Sequence, residues 1–391
     1  MVERQKEDLK LIAAPPKSIM QKKFPENKVE NTEKTRFIYL HKYLYGGVTT
    51  FTAHLIYKLG VFNSSSSISS RKSDIHIRQI PSNNAILRCG KVSETKLREF
   101  GYGLVYQNVS PSILAKIKYP FLTIFKENYF FHVLVDLNRR QRDSLKDITL
   151  VIHDHRDISQ NTAPYVKNWR LVAIRKTVQE YMQKRYGLDC AFLYHPFYPY
   201  PVVYKPKRRG AVSTTRISFE KNTDIIIKAN KILDTADVIK LYGCPSRVYV
   251  HSFLGGFQGD FGKYFYGIFD KSFSTLSEIL AEAKFVVDLS VLKHDGGGTQ
   301  YSFLEAIHND CALILHRKWI EGSDIKPDYR DFKEGYNCFA IDNEKELAEL
   351  IQSDPDTSKV VANSKALIQR HIEVDWSRLL KDSIPAVSSK A

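Results

Sequence analysis

Residues 285–308 hold the pattern that most narrows the choice of fold. The run 285–292, FVVDLSVL, is apolar enough for a strand buried on both faces. Gly296, Gly297 and Gly298 follow, and Tyr301, Leu304 and Ile307 then fall at the spacing of one helix face. A strand that runs through glycines into a helix start belongs in an α/β layer. It brings backbone N–H groups and the positive end of the helix dipole to one point, where a phosphate is well held. Glu305 lies one turn further in, where a carboxylate accepts from neutral hydroxyls but repels a phosphate. The two features in register point to a nucleotide sugar rather than to a plain anion.

The same alternation runs through most of the chain. Residues 36–40 read as a first strand, Gly46 and Gly47 as a tight turn, and Val48, Phe51, Leu55 and Leu59 as one face of a helix. Further strands are expected at 75–80, 103–106, 130–135, 150–153, 171–174 and 190–194, with a helix at 178–186. Residues 196–210 are rich in proline, tyrosine and basic side chains and read as an inter-domain linker. A second series starts at Val212, with helices at 224–233, 276–283 and 301–308 and strands at 238–242, 285–291 and 311–316. Helices at 344–353 and 363–371 follow. A chain of 391 residues is long for one core. The expected architecture is α/β, two doubly wound Rossmann-like domains at 36–195 and 211–365 that face a cleft. A polar arm, 1–35, precedes them. A C-terminal helix and tail, 366–391, follows, with a route back to the first domain open to it.

No apolar run approaches the ~18 residues of a membrane span, and the N-terminal decapeptide is charged, without an apolar signal core. A soluble protein of the cytoplasm (the host cytoplasm, for a viral chain) is expected. The five cysteines are scattered without a Cys-x-x-Cys pair, which indicates neither a zinc site nor a disulfide framework. The net charge of +15 draws the chain to polyanions, nucleic acid or an anionic membrane surface, although a lysine-rich composition alone would give the same sign. Arg71 and Lys72 in the serine-rich loop 63–73, Arg156, and Lys207, Arg208 and Arg209 in the linker are the candidate contacts.

Three elements of the second series form a chemical set. Arg216 and Lys221 follow a strand and precede a helix, which places two cations at a strand's carboxyl end. The loop Asp295-Gly296-Gly297-Gly298-Thr299-Gln300 supplies neutral donors, and Glu305 supplies an acceptor for a diol. Two cations and oriented amides stabilise a diphosphate leaving group as its charge develops. Each feature also has a plain reading: a solvated helix start, a tight turn, a buried ion pair. In the first series, Val-Ile-His153-Asp154-His155-Arg156 ends a strand. His153 and Asp154 are candidates there for bonding sugar hydroxyls or the attacking hydroxyl, or else a polar turn in which Asp154 caps a helix. Metal ligation by the two histidines has no third ligand cluster nearby to support it.

On these residues the chain resembles the retaining glycosyltransferases of the GT-B fold, the group 1-like family. The resemblance rests on Arg216 to Lys221, the segment 290–314 ending in Leu304-Glu305-Ala306, the stretch 334–342, the segments 172–178 and 194–197, and Gly46-Gly47-Val48. It implies that Arg216 and Lys221 bind a donor diphosphate, that Glu305 binds the ribose hydroxyls, and that Gly46 and Gly47 lie against the donor. The implied activity is sugar transfer with retention from a nucleoside diphosphate, UDP-glucose being the expected donor. Neither a metal nor another cofactor is expected. The family's first glutamate, separated from the second by seven residues, is replaced by Gly297; Asp295 is the carboxylate left in that loop, placed either to substitute for it or to cap the turn. His153-Asp154-His155 and the segment 301–305 are similar to the DNA α-glucosyltransferases of T-even phages. That likeness and the charge imply a hydroxymethylated base in duplex DNA as acceptor, with aromatic residues of 197–204 either stacking on an extruded base or packing a hinge. The alternatives are an envelope or surface-glycan transferase and, in another class, a non-catalytic nucleic-acid-binding protein on a decayed transferase scaffold.

Overall fold

Apolar residues at consecutive positions of 285–287 and 312–315 have one favourable arrangement in water, a strand covered on both faces. The computed structural model of the chain places them so. It describes residues 37–39, 47–58, 77–79, 97–99, 102, 105–108, 121–122, 149–269, 272–291, 297–321 and 326–376. The expected arm 1–35, the strand 130–135, Gly46, Arg71, Lys72, Asp295, Gly296 and the end of the tail lie outside the described residues.

Two α/β layers result. The first sheet holds β1 (Phe37–Tyr39), β2 (Ile77–Gln79), β3 (Leu97–Glu99), β4 (Val105–Asn108), β5 (Phe121–Leu122), β6 (Thr149–Ile152), β7 (Arg170–Ala173) and β8 (Ala191–Phe192), in the order β3-β4-β2-β1-β5-β6-β7-β8. All its pairs are parallel except β3 with β4. The second holds β9 (Ala211–Ser213), β10 (Lys240–Tyr242), β11 (Phe265–Gly267), β12 (Phe285–Asp288), β13 (Ala312–His316) and β14 (Phe339–Ile341), all parallel, in the order β11-β10-β9-β12-β13-β14. Every residue of β12 and β13 is buried. The α/β reading of the sequence therefore stands. Strands β3, β5, β11 and β14 are additions to it, each only two or three residues long.

Helix boundaries follow local chemistry. Helix α1 (Gly47–Lys58) packs Phe51 and Leu55 inward. Helix α2 (Lys176–Tyr186) ends at Gly187, whose left-handed φ of 64° lets its N–H return to the last carbonyls. Helix α3 (Thr223–Asn230) follows β9. Helix α4 (Phe273–Ala281) starts where Ser272 accepts the Thr275 N–H at 3.1 Å. Helix α5 (Tyr301–His308) buries six of its eight residues between the sheets. Helix α6 (Glu344–Gln352) is capped by Asn343, and α7 (Ser358–Glu373) closes the described chain. No helix among the described residues is long and apolar enough to cross a membrane.

Two connections join the layers. Residues 196–210 carry the chain from β8 to β9, and Phe197 and Tyr200 from that segment are buried. Beyond α7 the chain returns to the first sheet. The indole N–H of Trp376 donates to the Tyr194 carbonyl at 2.9 Å, its ring packs edge-on to Phe51 at 5.3 Å, and Lys58 donates to the His371 carbonyl at 3.1 Å. Trp376 is 1% exposed. Trp376→Ala, which removes a large buried ring, is expected to destabilise the protein by about 3–5 kcal/mol, read as a lowered midpoint in chemical denaturation.

Candidate active site

The loop after β9 is folded onto the end of β12 by its own backbone. Residues Phe219–Lys221 make one 3-10 turn, and Asn222, at φ 46°, turns the chain into α3. The Asn222 side-chain amide donates to the Leu289 carbonyl at 2.8 Å, and Val291 N–H donates to the Glu220 carbonyl at 3.0 Å. A second clamp comes from the other side. Ile217 N–H donates to Cys244 at 3.1 Å and Ser246 N–H to Ile217 at 2.8 Å. This approach needs Gly243: at φ 133°, a Cβ there would stand 2.1 Å from the Thr215 carbonyl oxygen.

Held this way, the Lys221 ammonium meets three partners at the start of α5. It donates to Gln300 Oε1 at 2.9 Å and to Ser290 Oγ, and lies 3.4 Å from both oxygens of Asp288. Asp288 is 1% exposed and also accepts from Ser302 Oγ at 2.6 Å and from Ser290 N–H at 3.1 Å. Burial pulls Lys221 below the ordinary lysine value, with Asp288 acting in the opposite direction. Arg216 is different: its side chain is 58% exposed and pairs with Glu220 one turn on.

The glycine loop is bonded inward. Gly297 has φ 81°, a region in which a side chain is strained, which gives a conformational reason for glycine at this position. Its carbonyl accepts from Asp331 N–H at 2.7 Å, and the Gly298 carbonyl accepts from Trp319 Nε1 at 3.1 Å. The Asp331 carboxylate accepts from the Thr299 backbone and from Arg370 at 2.7 Å, and burial is the larger influence, raising its pKa. Thr299 Oγ1 lies 3.2 Å from His371 Nε2, and His371 Nδ1 lies 2.9 Å from the His195 carbonyl. A carbonyl only accepts, so His371 carries its proton on Nδ1 and takes a hydrogen bond from Thr299 on Nε2.

Glu305 stands elsewhere, in the seam between the layers. Its Oε1 is 3.8 Å from Nε2 of His54, which comes from α1. His54 accepts the Tyr198 N–H on Nδ1 at 3.0 Å and is sandwiched between Phe197 at 4.4 Å and Tyr301 at 4.8 Å. Burial, with the Glu305 charge second, pushes up the hydroxyls of Tyr102, Tyr200 and Tyr301. The linker aromatics Phe197 and Tyr200 are thus part of a packed seam, while Tyr204 is 72% exposed.

At the end of β6 the His153 ring packs edge-on to Phe51 at 4.7 Å. Asp157 holds this turn together with Asp154: it accepts the N–H groups of His153 at 2.8 Å and Asp154 at 3.0 Å, and the Asp154 carboxylate accepts the Arg156 N–H at 2.8 Å. The Asp154 carboxylate bonds Arg156 and lies 3.2 Å from His155 Nδ1. It is lowered to about 2, burial opposing the shift and the hydrogen bonds of Arg156 driving it. Among the linker cations, Arg208 bonds the Asn309 carbonyl, Arg209 pairs with Asp237 at 2.9 Å, and Lys207 is exposed. The structure therefore unites Lys221 with Gln300 and leaves Arg216 at the surface, Glu305 in the seam and His153-Asp154 just past the carboxyl end of β6. Arg175, Asp331, Arg370 and His371 escaped the sequence reading. They converge on the glycine loop from three distant segments, and no local spacing marks them.

No protein-family model and no curated protein sequence matches this chain. Solved structures do match. Anabaena Alr3699/HepE in complex with UDP-glucose superposes with a TM-score of 0.59 over 86% of this chain and 95% of its own, at 11% identity. An alpha-glucosyltransferase in complex with UDP gives 0.60 over 88% and 97%, at 10% identity. An alpha-glucosyltransferase in complex with UDP and a 13-mer DNA containing a HMU base gives 0.57 over 88% and 95%, at 10% identity. The likeness is one of fold, and the fold is GT-B, the two facing parallel sheets of these glycosyltransferases.

The seam has a pH signature. Burial lowers His54 and His371 from 6.5 to about 3, so both stay neutral in the folded protein. Unfolding releases imidazoles that bind protons below pH 6.5. The stability they contribute is full above pH 6.5 and is lost as pH falls from there toward 3. At pH 5 the loss is about 2 kcal/mol per histidine. Denaturation midpoints at pH 7 and pH 5 should show a smaller difference in His54→Gln than in the unaltered protein.

Proposed function

We propose that this protein is a glycosyltransferase that moves a sugar, with glucose from UDP-glucose as the first donor to test, onto a hydroxyl acceptor with retention. The acceptor in this reading is a hydroxymethylated base in duplex DNA. The observation that carries the proposal is Lys221, a lysine buried at the carboxyl ends of β9 and β12 and aimed by Asp288, Ser290 and Gln300 at the start of α5, with Arg216 exposed beside the same loop. This is the position at which an open parallel sheet binds its ligand.

In the reaction, the bond from the sugar's anomeric carbon to the β-phosphate oxygen breaks as the acceptor oxygen bonds that carbon on the same face. The acceptor's proton passes to the departing diphosphate. Lys221 and Arg216 stabilise the charge that accumulates there, and the cations need no reorganisation at the moment of reaction. His153, just past the carboxyl end of β6, is in this reading the group that hydrogen-bonds the sugar or the incoming hydroxyl. Glu305 fits its family role less simply: its carboxylate lies against His54, so a ribose reaches it only when the seam parts. Structural neighbours that bind UDP, UDP-glucose and a DNA with a HMU base support this choice of donor and acceptor.

The test is a donor panel offered with hydroxymethylated DNA and, separately, with lipid and glycan acceptors. Transfer to a lipid or glycan alone would replace the DNA reading; DNA binding without transfer or donor hydrolysis would favour a non-catalytic protein. Arg216 is exposed, so Arg216→Ala should fold normally and lower kcat by about 10²–10³-fold. Near-normal turnover in that variant would remove Arg216 from the leaving-group site.

A further inference from the structure

Near its end, helix α7 delivers two neighbouring residues, Arg370 and His371, to the place where the chain leaves the first layer. Each is bonded on both sides. Toward the first layer, Arg370 Nη1 donates to the Tyr194 hydroxyl at 3.2 Å and His371 Nδ1 to the His195 carbonyl at 2.9 Å. Tyr194 and His195 are the last two residues before the crossing 196–210. Toward the second layer, both lead to the glycine loop. Arg370 Nη2 donates to the Asp331 carboxylate at 2.7 Å. Asp331 in turn accepts the Thr299 N–H on that carboxylate and gives its own N–H to the Gly297 carbonyl at 2.7 Å. His371 Nε2 accepts from Thr299 Oγ1 at 3.2 Å. Two consecutive residues of the crossing, two of α7 and the segment 297–299 thus form one hydrogen-bonded ladder. His371 is 0% exposed and Thr299 3% exposed.

We propose that Arg370 and His371 are positioning residues for the donor: they hold the glycine loop in the conformation that meets the diphosphate and tie that conformation to the crossing between the layers. The assignment rests on the nucleotide-sugar reading above. A glycine loop has the most backbone freedom to lose when a ligand orders it. Its N–H groups serve a diphosphate well only when they are fixed in advance. Gly297 and Gly298 have no side chain with which to fix it, and Gln300 is engaged by Lys221. The hold comes from α7. His371 is fully buried, so its part is to place the loop and not to touch the donor. The Thr299 hydroxyl hydrogen points to His371, so this side chain anchors the loop rather than a phosphate.

Three measurements on the full chain test the clamp: hydrogen exchange of the amides of 297–301 without donor, UDP affinity by calorimetry, and transfer kinetics against donor concentration. His371→Leu removes both imidazole bonds. It is expected to speed exchange at 297–301 about tenfold, with β12 and β13 protected as before, and to weaken UDP binding about 5–10-fold. The donor KM should rise by a similar factor with kcat within about twofold. His371→Gln keeps a donor and an acceptor on a side chain of similar reach and should recover most of the loss. Adding Thr299→Val to His371→Leu should cost little more, because the two residues act through one bond. Arg370→Gln, at a side chain 39% exposed, serves if His371→Leu folds poorly, and should loosen the loop in the same sense. A lowered Tm with unchanged loop exchange and UDP affinity would overturn the clamp and make His371 a packing residue only. Additive losses in the double variant would overturn the link through Thr299. If the unaltered protein neither binds UDP nor transfers sugar, the nucleotide-sugar reading fails; loop exchange, measured without donor, still decides the clamp.

Discussion

The buried contact between Lys221 and Asp288 is the constraint around which the second layer is arranged. Neither charge is comfortable away from water unless the other is present and the remaining hydrogen-bond capacity is filled. Here Ser290, Ser302 and Gln300 fill it. The pair consequently ties three separate pieces of chain, the loop after β9, the end of β12 and the start of α5, into one geometry. Such a pair adds little net stability compared with apolar packing, and losing one partner is costly. Its retention in an otherwise apolar layer is better explained by positioning than by strength.

The parts of this architecture that were legible in the sequence are those in which one short segment does the work. Residues 285–308 announce strand, loop and helix because burial on both faces of β12 and one-sided packing of α5 impose different spacings. Strands such as β5 and β11 are too short to impose any spacing, and their existence depends on neighbours supplied by the rest of the sheet. The same distinction holds at the site. Lys221 was readable because it follows a strand by a few residues. Arg175, Asp331 and Arg370 were not, since 39 positions separate the last two and the first enters from the other layer. Gly297 was legible as a departure, but its cause, a positive φ, is a property of the folded backbone.

The seam between the layers is built mainly from aromatic rings and neutral histidines, and an ion pair between Lys326 and Glu180 also crosses it. His54, His195 and His371 are each buried and each held below the ordinary imidazole range by that burial. The neutral His54 ring packs flat on Phe197 and Tyr301 and still offers a nitrogen for one directed hydrogen bond. Polarity in the seam therefore serves alignment.

The chain crosses between its two layers twice, once through 196–210 and once where Trp376 returns to Phe51 and Tyr194. A body fastened to another at a single point is free to swing in any direction and to spin. The two crossings here lie side by side, with the Phe197 N–H donating to the His371 carbonyl at 3.0 Å, so two lengths of chain share one hinge and resist the twist that a single one would allow. If the layers of this protein move as it works, they open and close about that one place, and a substrate waiting in the cleft meets the same opposing surface on every closure.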